Sequence, residues 1–436
     1  MELFDRLERR ELERAVLVHV DFHNESDREE LDEFYELVDS AGAEICTLLT
    51  TKRQTADSKY FIGKGKAEEV KQAVALYEAD VVIVNHALSP AQERNLSQLV
   101  ECQVLDRVGL ILDIFAQRAR SHEGKLQVEL AQLKRMATRL VKGWSHLDRQ
   151  GGIGARGPGE TQLETDRRLV QGRIKQLEAK IERVRKQRDL GRRSRKRSEL
   201  PTITIVGYTN AGKSTLFNFM TSAGVYAEDR LFATLDSTLR RVHLPGAGPV
   251  IFADTVGFIR HIPHDLVTAF RSTLEETSEA SLLIHLVDAA DVHRDEKMAD
   301  VYEVIDEVGA TDVPQLVVFN KIDLLEPAVD PKIDYDENGV AQRVWLSAQQ
   351  GLGVDLLMEA VGSFFKGQFI KVKLVLDVAA GKQRAQLYEL GTIVEEGFDE
   401  QGNSCFTMIL SDQEWESIRD WPQLLSTQLI EADLAH

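Results

Sequence analysis

Nine consecutive residues, Gly207–Thr215 (Gly-Tyr-Thr-Asn-Ala-Gly-Lys-Ser-Thr), have types and spacing suited to phosphate chemistry. They satisfy the pattern G-x-x-x-x-G-K-[ST], in which glycines let backbone N–H groups surround phosphate oxygens. The lysine of this pattern reaches the β- and γ-phosphates, and the next hydroxyl binds Mg²⁺. We therefore expect the whole segment to bind a nucleoside triphosphate: Gly207, Tyr208, Thr209, Asn210, Ala211, Gly212, Lys213, Ser214 and Thr215.

The segment Asn320-Lys-Ile-Asp323 indicates which base is bound. A carboxylate at Asp323 can accept both N–H groups that guanine presents together, from N1 and from the exocyclic amine. Adenine lacks this pair and would leave the buried carboxylate without a donor. A small-residue loop further on is expected to donate backbone N–H to the guanine oxygen. GTP and GDP are the expected ligands, with the base read by Asn320, Lys321, Ile322, Asp323, Ser347 and Ala348.

Two further segments are expected to complete the magnesium and γ-phosphate contacts. Asp254 would hold Mg²⁺ through water, and the Gly257 N–H would bind the γ-phosphate. Thr234 is the expected switch residue, binding Mg²⁺ only while the γ-phosphate is present, with Thr221 and Thr238 as weaker candidates. The metal ligands are thus Ser214, Thr234 and Asp254. The two segments comprise Phe232, Ala233, Thr234, Leu235 and Asp236, and Asp254, Thr255, Val256 and Gly257.

The residue after Gly257 is Phe258, where Ras-like GTPases carry a glutamine that positions water. A phenyl ring cannot do this, so either hydrolysis is slow or another group contributes. Asn210, beside the phosphates, could help hold K⁺ that neutralises charge in the transition state. The alternative is that Asn210 merely suits the turn. The expected catalytic residues are Lys213, Thr234, Gly257 and Asn210.

The elements that must position these residues are short apolar strands. Each motif directly follows one, and the phosphate-binding loop also leads into a helix at Leu216–Met220. Ligands of parallel α/β sheets bind at the carboxyl ends of the strands, so the motifs are expected to meet there. The strands are Ile203–Val206, Val250–Phe252, Gln315–Phe319 and Val344–Leu346. We therefore expect an α/β P-loop GTPase domain over residues 201–366.

Residues 1–115 are expected to form a separate α/β domain, because strand and helix patterns alternate as in a parallel sheet. Residues 367–436 are expected to form a small α+β domain, with a strand at Ile370–Leu376, a helix at Ala380–Glu389, strands near Thr392 and Cys405, and a last helix at Asp412–Ile418. No catalytic constellation is visible in this last region.

Residues 116–200 are expected to form a helical hairpin. Val108–Leu147 favours helix, the glycine-rich loop Gly151–Gly159 cannot be helical, and a second helix is expected at Glu160–Leu190. Apolar residues spaced by three or four predict its packing stripe: Leu169, Ile174, Leu177, Ile181 and Val184. The basic run Gly191–Ser198 is interpreted as a linker.

Charge is distributed unevenly. The formal net charge is -18, yet Thr161–Leu200 holds 14 Lys and Arg against 6 Asp and Glu, a local balance of +8, which leaves -26 for the rest. The basic helix favours an RNA partner, although such helices are often merely solvated. The acidic start, the absence of a long apolar run and three scattered cysteines predict a cytoplasmic protein without membrane insertion or disulfides. We also expect a monomer.

These motifs, with Phe-Ala-Thr-Leu-Asp, Asp-Thr-Val-Gly-Phe-Ile and the upstream segment Gly157–Arg168, resemble the bacterial HflX GTPases of the Obg-HflX group, over about the first 370 residues. The resemblance implies a GTPase that binds the large ribosomal subunit and its RNA and dissociates stalled or stress-arrested ribosomes. It also implies that Phe258 is normal for the family. The alternatives are a GTP-gated scaffold for a protein partner, and an RNA-remodelling GTPase acting away from the ribosome.

Overall fold

The computed structural model describes residues 13–22, 27–143, 162–197, 200–221, 231–232, 238–244, 248–259, 277–365, 369–390 and 392–430. The described residues fall into two compact units. The first runs to Arg185 and includes Leu231 and Phe232, and the second contains the remainder. Within the described residues, no helix is both long and apolar enough to cross a membrane.

The first unit contains the parallel sheet expected from the alternating pattern. Its strands are β1 (Arg14–Asp21), β2 (Glu44–Lys52), β3 (Val81–Val84) and β4 (Gln103–Asp106), in the order β2-β1-β3-β4. The strands are connected by α1 (Asp27–Ala41), α2 (Lys64–Tyr77) and α3 (Pro90–Val100). Because helices cover both faces, β1 and β3 are buried along their length, and the buried residues are apolar except for His19.

Three helices complete the first unit and lead out of it. They are α4 (Arg107–Arg118), α5 (His122–Gly143) and α6 (Gln162–Arg197). The stretch expected to favour helix over Val108–Leu147 contains two helices, because the chain breaks between α4 and α5. Ser121 causes the new start, since its Oγ accepts a hydrogen bond from the Gly124 N–H at 2.8 Å, as N-cap residues do.

Helices α5 and α6 pack as the expected hairpin. Leu126, Leu130 and Leu177 form its buried centre, and the ion pair Lys134–Glu178 (3.1 Å) joins the two helices at the surface. Two expectations are corrected. Leu169 is 65% exposed and outside the packing stripe. The basic run is not a linker, because α6 continues to Arg197: arginine and lysine favour helix, and one glycine costs only about 1 kcal/mol.

The second unit is built on a seven-stranded sheet with the order β10-β11-β9-β8-β5-β7-β6. Its central strands are parallel, and the edge strands β6 and β10 are antiparallel to their neighbours. The strands are β5 (Thr202–Gly207), β6 (Thr238–Leu244), β7 (Gly248–Asp254), β8 (Leu282–Asp288), β9 (Gln315–Asn320), β10 (Lys332–Tyr335) and β11 (Ala341–Trp345). The helices are α7 (Lys213–Thr221), α8 (Arg294–Glu307) and α9 (Val354–Phe364).

The remaining elements of the second unit form the expected α+β sheet. They are β12 (Phe369–Leu376), α10 (Gly381–Glu389), β13 (Thr392–Phe398), β14 (Ser404–Ser411), α11 (Asp412–Ile418) and β15 (Leu424–Ile430). The antiparallel order is β13-β14-β12-β15. The sequence prediction missed β15, an edge strand whose residues are mostly exposed and therefore lack the alternation of a half-buried strand.

Candidate functional site

The phosphate-binding loop lies between a buried strand and a helix. β5 ends at Gly207, α7 begins at Lys213, and the Leu216 N–H donates to the Gly212 carbonyl at 2.9 Å. Gly212 has φ +92°, and a Cβ there would lie 2.4 Å from Asn320 Nδ2. Glycine is therefore required both by the backbone conformation and by the neighbouring side chain.

Lys213 is buried at the start of α7. Its ammonium donates to the carbonyl oxygens of Gly207 (3.1 Å) and Tyr208 (2.6 Å), which orients it along the loop. Burial lowers the pKa of Lys213 to about 8, and the negative charge of Asp254 offsets part of this shift. An anionic phosphate would restore the higher pKa, so the site is suited to bind negative charge.

Ser214 and Asp254 form the oxygen pair expected for a magnesium site. Asp254 ends β7 with no exposed surface, and the Ser214 hydroxyl donates to its Oδ2 at 2.9 Å. A hydroxyl and a carboxylate are hard oxygen ligands of the kind Mg²⁺ takes, with phosphates and water completing its shell. No cluster of three or more His, Cys, Asp or Glu residues suited to a metal occurs among the residues described. The donors present therefore fit a nucleotide-bound Mg²⁺.

The backbone of Phe258, which follows the segment Asp254–Gly257, pairs with the phosphate-binding loop. The Thr209 N–H donates to the Phe258 carbonyl (2.7 Å), and the Phe258 N–H donates to the Gly207 carbonyl (3.1 Å). A Cβ on Gly257 would lie 3.0 Å from Lys213 Nζ and 2.7 Å from Thr209 Cγ2, so a side chain would displace the lysine. Phe258 is 2% exposed, and its phenyl ring has no hydrogen-bonding group with which to position a water molecule.

Asn320 connects the phosphate and base regions. Its amide Nδ2 donates to the Ala211 carbonyl at 2.8 Å, and its Oδ1 accepts from the Ala348 N–H at 2.8 Å. Asn320 is buried at the end of β9, so both bonds lie away from water. One side chain therefore holds the two loops together, a role that the sequence reasoning did not assign to it.

Asp323 lies in a short 3₁₀ turn, Ile322–Leu324, and is exposed. The turn is fixed from both sides: the Ile322 N–H donates to the Leu346 carbonyl (3.3 Å), and Lys321, in the left-handed conformation, pairs with Asp288 (2.8 Å). The carboxylate is thus presented to solvent on a restrained turn, as recognition of a base requires.

The backbone N–H groups of Ser347 and Ala348, in the loop after β11, form hydrogen bonds within the protein. The Ser347 N–H donates to the Leu352 carbonyl at 2.9 Å, and the Ala348 N–H donates to Asn320. The Ala348 amide therefore helps to fix Asn320, and the Ser347 amide closes the loop onto Leu352. Their bond to the guanine oxygen stays a prediction.

Two residues near the site, both on β8, were missed by sequence reasoning. Asp288 ends β8 and pairs with Lys321, and its place after the apolar run Leu-Leu-Ile-His-Leu-Val was the available signal. His285 is buried, and burial together with the charge of Lys213 lowers its pKa to about 4. His285 is therefore neutral at physiological pH and adds no second positive charge beside the lysine.

Phe232, predicted to bind nucleotide, is buried in the first unit. Its ring meets Phe115 edge to face at 4.6 Å between centroids, and the Leu231 N–H donates to Ser40 Oγ at 3.0 Å. Phe232 has φ 56°, a left-handed conformation that costs ~1–2 kcal/mol in a residue other than glycine. Ring burial (~2–3 kcal/mol), the aromatic pair (~1 kcal/mol) and the hydrogen bond (~1 kcal/mol) exceed that cost.

Several predicted residues lie outside the described part of the chain. They are Ala233, Thr234, Leu235 and Asp236, the segment around the expected switch residue, and the glycine-rich loop Gly151–Gly159. Their roles stay predictions. Asn210 is described and has φ 60°, a conformation that asparagine tolerates well, which accords with the simpler turn interpretation.

Three family profiles match consecutive stretches of the chain. Residues 28–116 match "GTP-binding GTPase N-terminal", residues 118–195 match "GTP-binding GTPase Middle Region", and residues 202–321 match "50S ribosome-binding GTPase". The third stretch contains the phosphate-binding loop, Asp254 and Asn320, the residues that the structure brings together.

Full-length relatives are similar as well. A protein named GTPase HflX from Escherichia coli (strain K12) is 53% identical over 417 residues, covering 95% of this chain and 97% of its own. GTPase HflX from Caldanaerobacter subterraneus is 47% identical, covering 91% and 90%. A GTP-binding protein from Sulfolobus solfataricus, solved in complex with GDP, is 24% identical with a TM-score of 0.44, covering 81% of this chain and 98% of that one.

Proposed function

This chain belongs to the GTPase HflX family and hydrolyses GTP, and from that premise we propose that it acts on ribosomes. It binds the large ribosomal subunit and its RNA in the GTP form and dissociates stalled or stress-arrested ribosomes. The match of residues 202–321 to a profile described as ribosome-binding supports this partner. We also propose four functional regions, 1–115, 116–200, 201–366 and 367–436.

The observation that carries the proposal is the hairpin of α5 and α6. α6 is 36 residues long, about 54 Å at 1.5 Å per residue, and contains 14 Lys and Arg against 5 Asp and Glu. Its apolar stripe packs against α5, and among its described basic residues Arg167, Lys175, Lys180 and Arg183 are exposed. A long helix with a net charge of +9 is suited to reach along structured RNA, which proteins recognise largely by phosphates and shape.

In the proposed cycle, Lys213 and the loop amides bind and orient the phosphates, while Asp323 selects guanine. Ser214 and Asp254, with Thr234 in the GTP form, would hold Mg²⁺, which would supply positive charge to the phosphates. Gly257 leaves room for Lys213 and presents its N–H to the γ-phosphate. Phe258 leaves the attacking water without a glutamine, so the ribosome is expected to stimulate hydrolysis.

We expect ribosome dissociation to depend on the basic end of α6. Changing Arg192, Arg193, Arg195, Lys196 and Arg197 to glutamine keeps helix propensity but removes up to five phosphate contacts. Each lost contact reduces the slope of log affinity against log salt by about 0.7 to 0.9. The measurement is light scattering of purified ribosomes mixed with the full chain and GTP, with affinity measured over a salt series.

The matched control removes five exposed basic residues of the second unit: Arg241, Lys332, Arg343, Lys373 and Lys382. If the α6 variant binds and dissociates ribosomes like this control, the basic end of α6 is a solvated surface. If the chain binds free structured RNA with the same affinity as ribosomes, an RNA-remodelling function is favoured instead.

We expect hydrolysis to be faster in K⁺ than in Na⁺ at equal ionic strength, by about tenfold, equivalent to ~1.4 kcal/mol of barrier. The physical reason is that Asn210 and phosphate oxygens would form a site for a large, weakly hydrated cation. Asn210→Ala should remove the difference and leave Mg²⁺-dependent GTP binding intact. Equal initial rates in the two salts, with and without ribosomes, would refute a cation role and leave Asn210 as a turn residue.

A further inference from the structure

Lys297, in the first turn of α8, lies over the ring of a residue in the phosphate-binding loop. Its ammonium nitrogen is 5.1 Å from the centre of the Tyr208 ring, and Tyr208 is buried. A lysine ammonium at this distance from the face of a tyrosine ring is attracted to the π electrons of that ring. None of the motifs that predicted the nucleotide site includes Lys297. The contact therefore connects the loop to a helix outside those motifs.

A carboxylate fixes Lys297 in this position. Lys297 Nζ donates to Asp291 Oδ2 at 2.6 Å, and the two side chains are 22% and 20% exposed. Asp291 is restrained in turn, because its Oδ1 accepts a hydrogen bond from the His293 N–H at 2.9 Å. An ion pair that is largely removed from water is screened less than a surface pair. The turn between β8 and α8 therefore holds the lysine over the ring.

Tyr208 is also the point where two parts of the phosphate site meet. Its carbonyl accepts a hydrogen bond from Lys213 Nζ at 2.6 Å. The next residue, Thr209, donates its N–H to the Phe258 carbonyl at 2.7 Å. A Cβ on Gly257 would lie 3.0 Å from Lys213 Nζ, so the segment before Phe258 packs closely on the lysine. A displacement of Tyr208 would therefore move Lys213 relative to Gly257.

We propose that Lys297 is a positioning residue for GTP hydrolysis, which acts by fixing the ring of Tyr208. A fixed ring restrains the Tyr208 backbone, whose carbonyl orients the ammonium of Lys213. Charged groups stabilise a transition state only when they are held where its charge develops, so a small displacement slows the reaction. This role rests on the proposed contact of Lys213 with the γ-phosphate, and the experiment below separates the two.

The loss of Lys297 is expected to change kcat more than the affinity for GDP. The groups proposed to bind the base and Mg²⁺, Asp323 and Ser214, lie on other segments, the turn after β9 and the start of α7. GDP also lacks the γ-phosphate, toward which Lys213 is proposed to point. Contacts made equally with GTP and GDP therefore remain, and an interaction needed mainly in the transition state is weakened.

The test is steady-state GTP hydrolysis by the full chain without ribosomes, with GDP affinity measured by calorimetry. Lys297→Met keeps the length of the side chain and removes its charge, so it should lower kcat about tenfold and change GDP affinity by less than about twofold. Asp291→Asn should lower kcat by roughly threefold, because a neutral amide holds the lysine less tightly. Lys297→Arg keeps a cation that pairs with Asp291 and stacks on the ring, so kcat should stay within about threefold of the unchanged protein.

Lys332→Met is the matched control. Lys332 lies in the same unit, with its Nζ 5.3 Å from the centre of the Trp345 ring and 3.1 Å from Asp334 Oδ1. The substitution thus removes the same combination of a cation, an aromatic ring and a carboxylate from β10, at the edge of the sheet. It should leave kcat unchanged.

Substitution of the ring tests whether Lys297 acts through Tyr208. Tyr208→Phe keeps the aromatic face, so adding Lys297→Met to it should again lower kcat about tenfold. Tyr208→Leu removes that face, so adding Lys297→Met to it should have no further effect. A direct action of the Lys297 charge on the phosphates would instead lower kcat by the same factor in both backgrounds.

Each remaining outcome has one meaning. If Lys297→Met has the kcat of Lys332→Met, the positioning role is overturned. An undiminished effect of Lys297→Met in the Tyr208→Leu background, or a loss of GDP affinity as large as the loss of kcat, would overturn it as well. If Lys213→Ala lowers kcat while Lys297→Met does not, the proposed phosphate contact of Lys213 stands and the positioning role alone fails. A normal kcat for Lys213→Ala would overturn both.

Discussion

Changing Lys213 to alanine is expected to weaken GTP binding by about 10²- to 10³-fold, ~3–4 kcal/mol. Lys213 is buried and restrained by the carbonyls of Gly207 and Tyr208, so its charge is held where phosphates would lie. Its loss leaves phosphate charge without a compensating cation in a site of low water content. Calorimetric titration with a non-hydrolysable GTP analogue measures the effect.

Lys332→Ala is the control for this experiment, since it removes the same charge from an exposed position in the same unit. It should bind like the unchanged protein. Equal affinities of the Lys213 and Lys332 variants, with unchanged thermal unfolding, would remove the phosphate-binding role of Lys213.

The same lysine predicts a pH dependence. Its pKa in the nucleotide-free protein is lowered to about 8 by burial, and bound phosphates would raise it. Binding therefore takes up a proton above pH 8, and affinity falls by up to tenfold per pH unit as the pH rises from 8 to 9. Below pH 7 the lysine is charged in both states and contributes no slope.

Asp323→Asn is expected to weaken GTP binding by about 10²-fold or more, because two hydrogen bonds to a carboxylate are worth ~3–6 kcal/mol together. Affinity for xanthine nucleotides should rise, since the asparagine amide donates to the oxygen that xanthine carries in place of the amine. The turn holding Asp323 is fixed through Ile322 and Lys321, so the substitution changes the contact and leaves its position intact.

Competition between GTP and xanthosine triphosphate measures the change in preference. Asp330→Asn, an exposed carboxylate seven residues further on, is the control for the lost charge. An unchanged guanine preference in the Asp323 variant would show that another group reads the base.

The local structure around the phosphate-binding loop was predictable because its residues are close in sequence to the strand and helix that carry them. The apolar run Ile203–Val206 predicted a strand, and the glycine loop after it predicted a turn that leads into a helix. The structure contains all three elements. Ser214 and Asp254 were each predicted to contact Mg²⁺, and they meet at the ends of neighbouring elements. Local pattern and strand direction were sufficient here.

Contacts between distant segments were not predictable. Phe232 meets Phe115, 117 positions earlier, and Asn320 joins Ala211 to Ala348. Periodicity in a short window carries no information about such partners. The end of α6 was misjudged because a basic run is compatible with a linker or a helix, and β15 was missed because most of its residues are exposed.

The most direct test of the central claim is sedimentation of the full chain with purified large ribosomal subunits. The chain is loaded with a non-hydrolysable GTP analogue or with GDP, and the salt concentration is varied. The account predicts that the GTP form pellets with the subunits, that the GDP form does so less, and that binding weakens steadily with salt. Equal, weak pelleting of both forms at low salt would contradict a ribosome-associated GTPase.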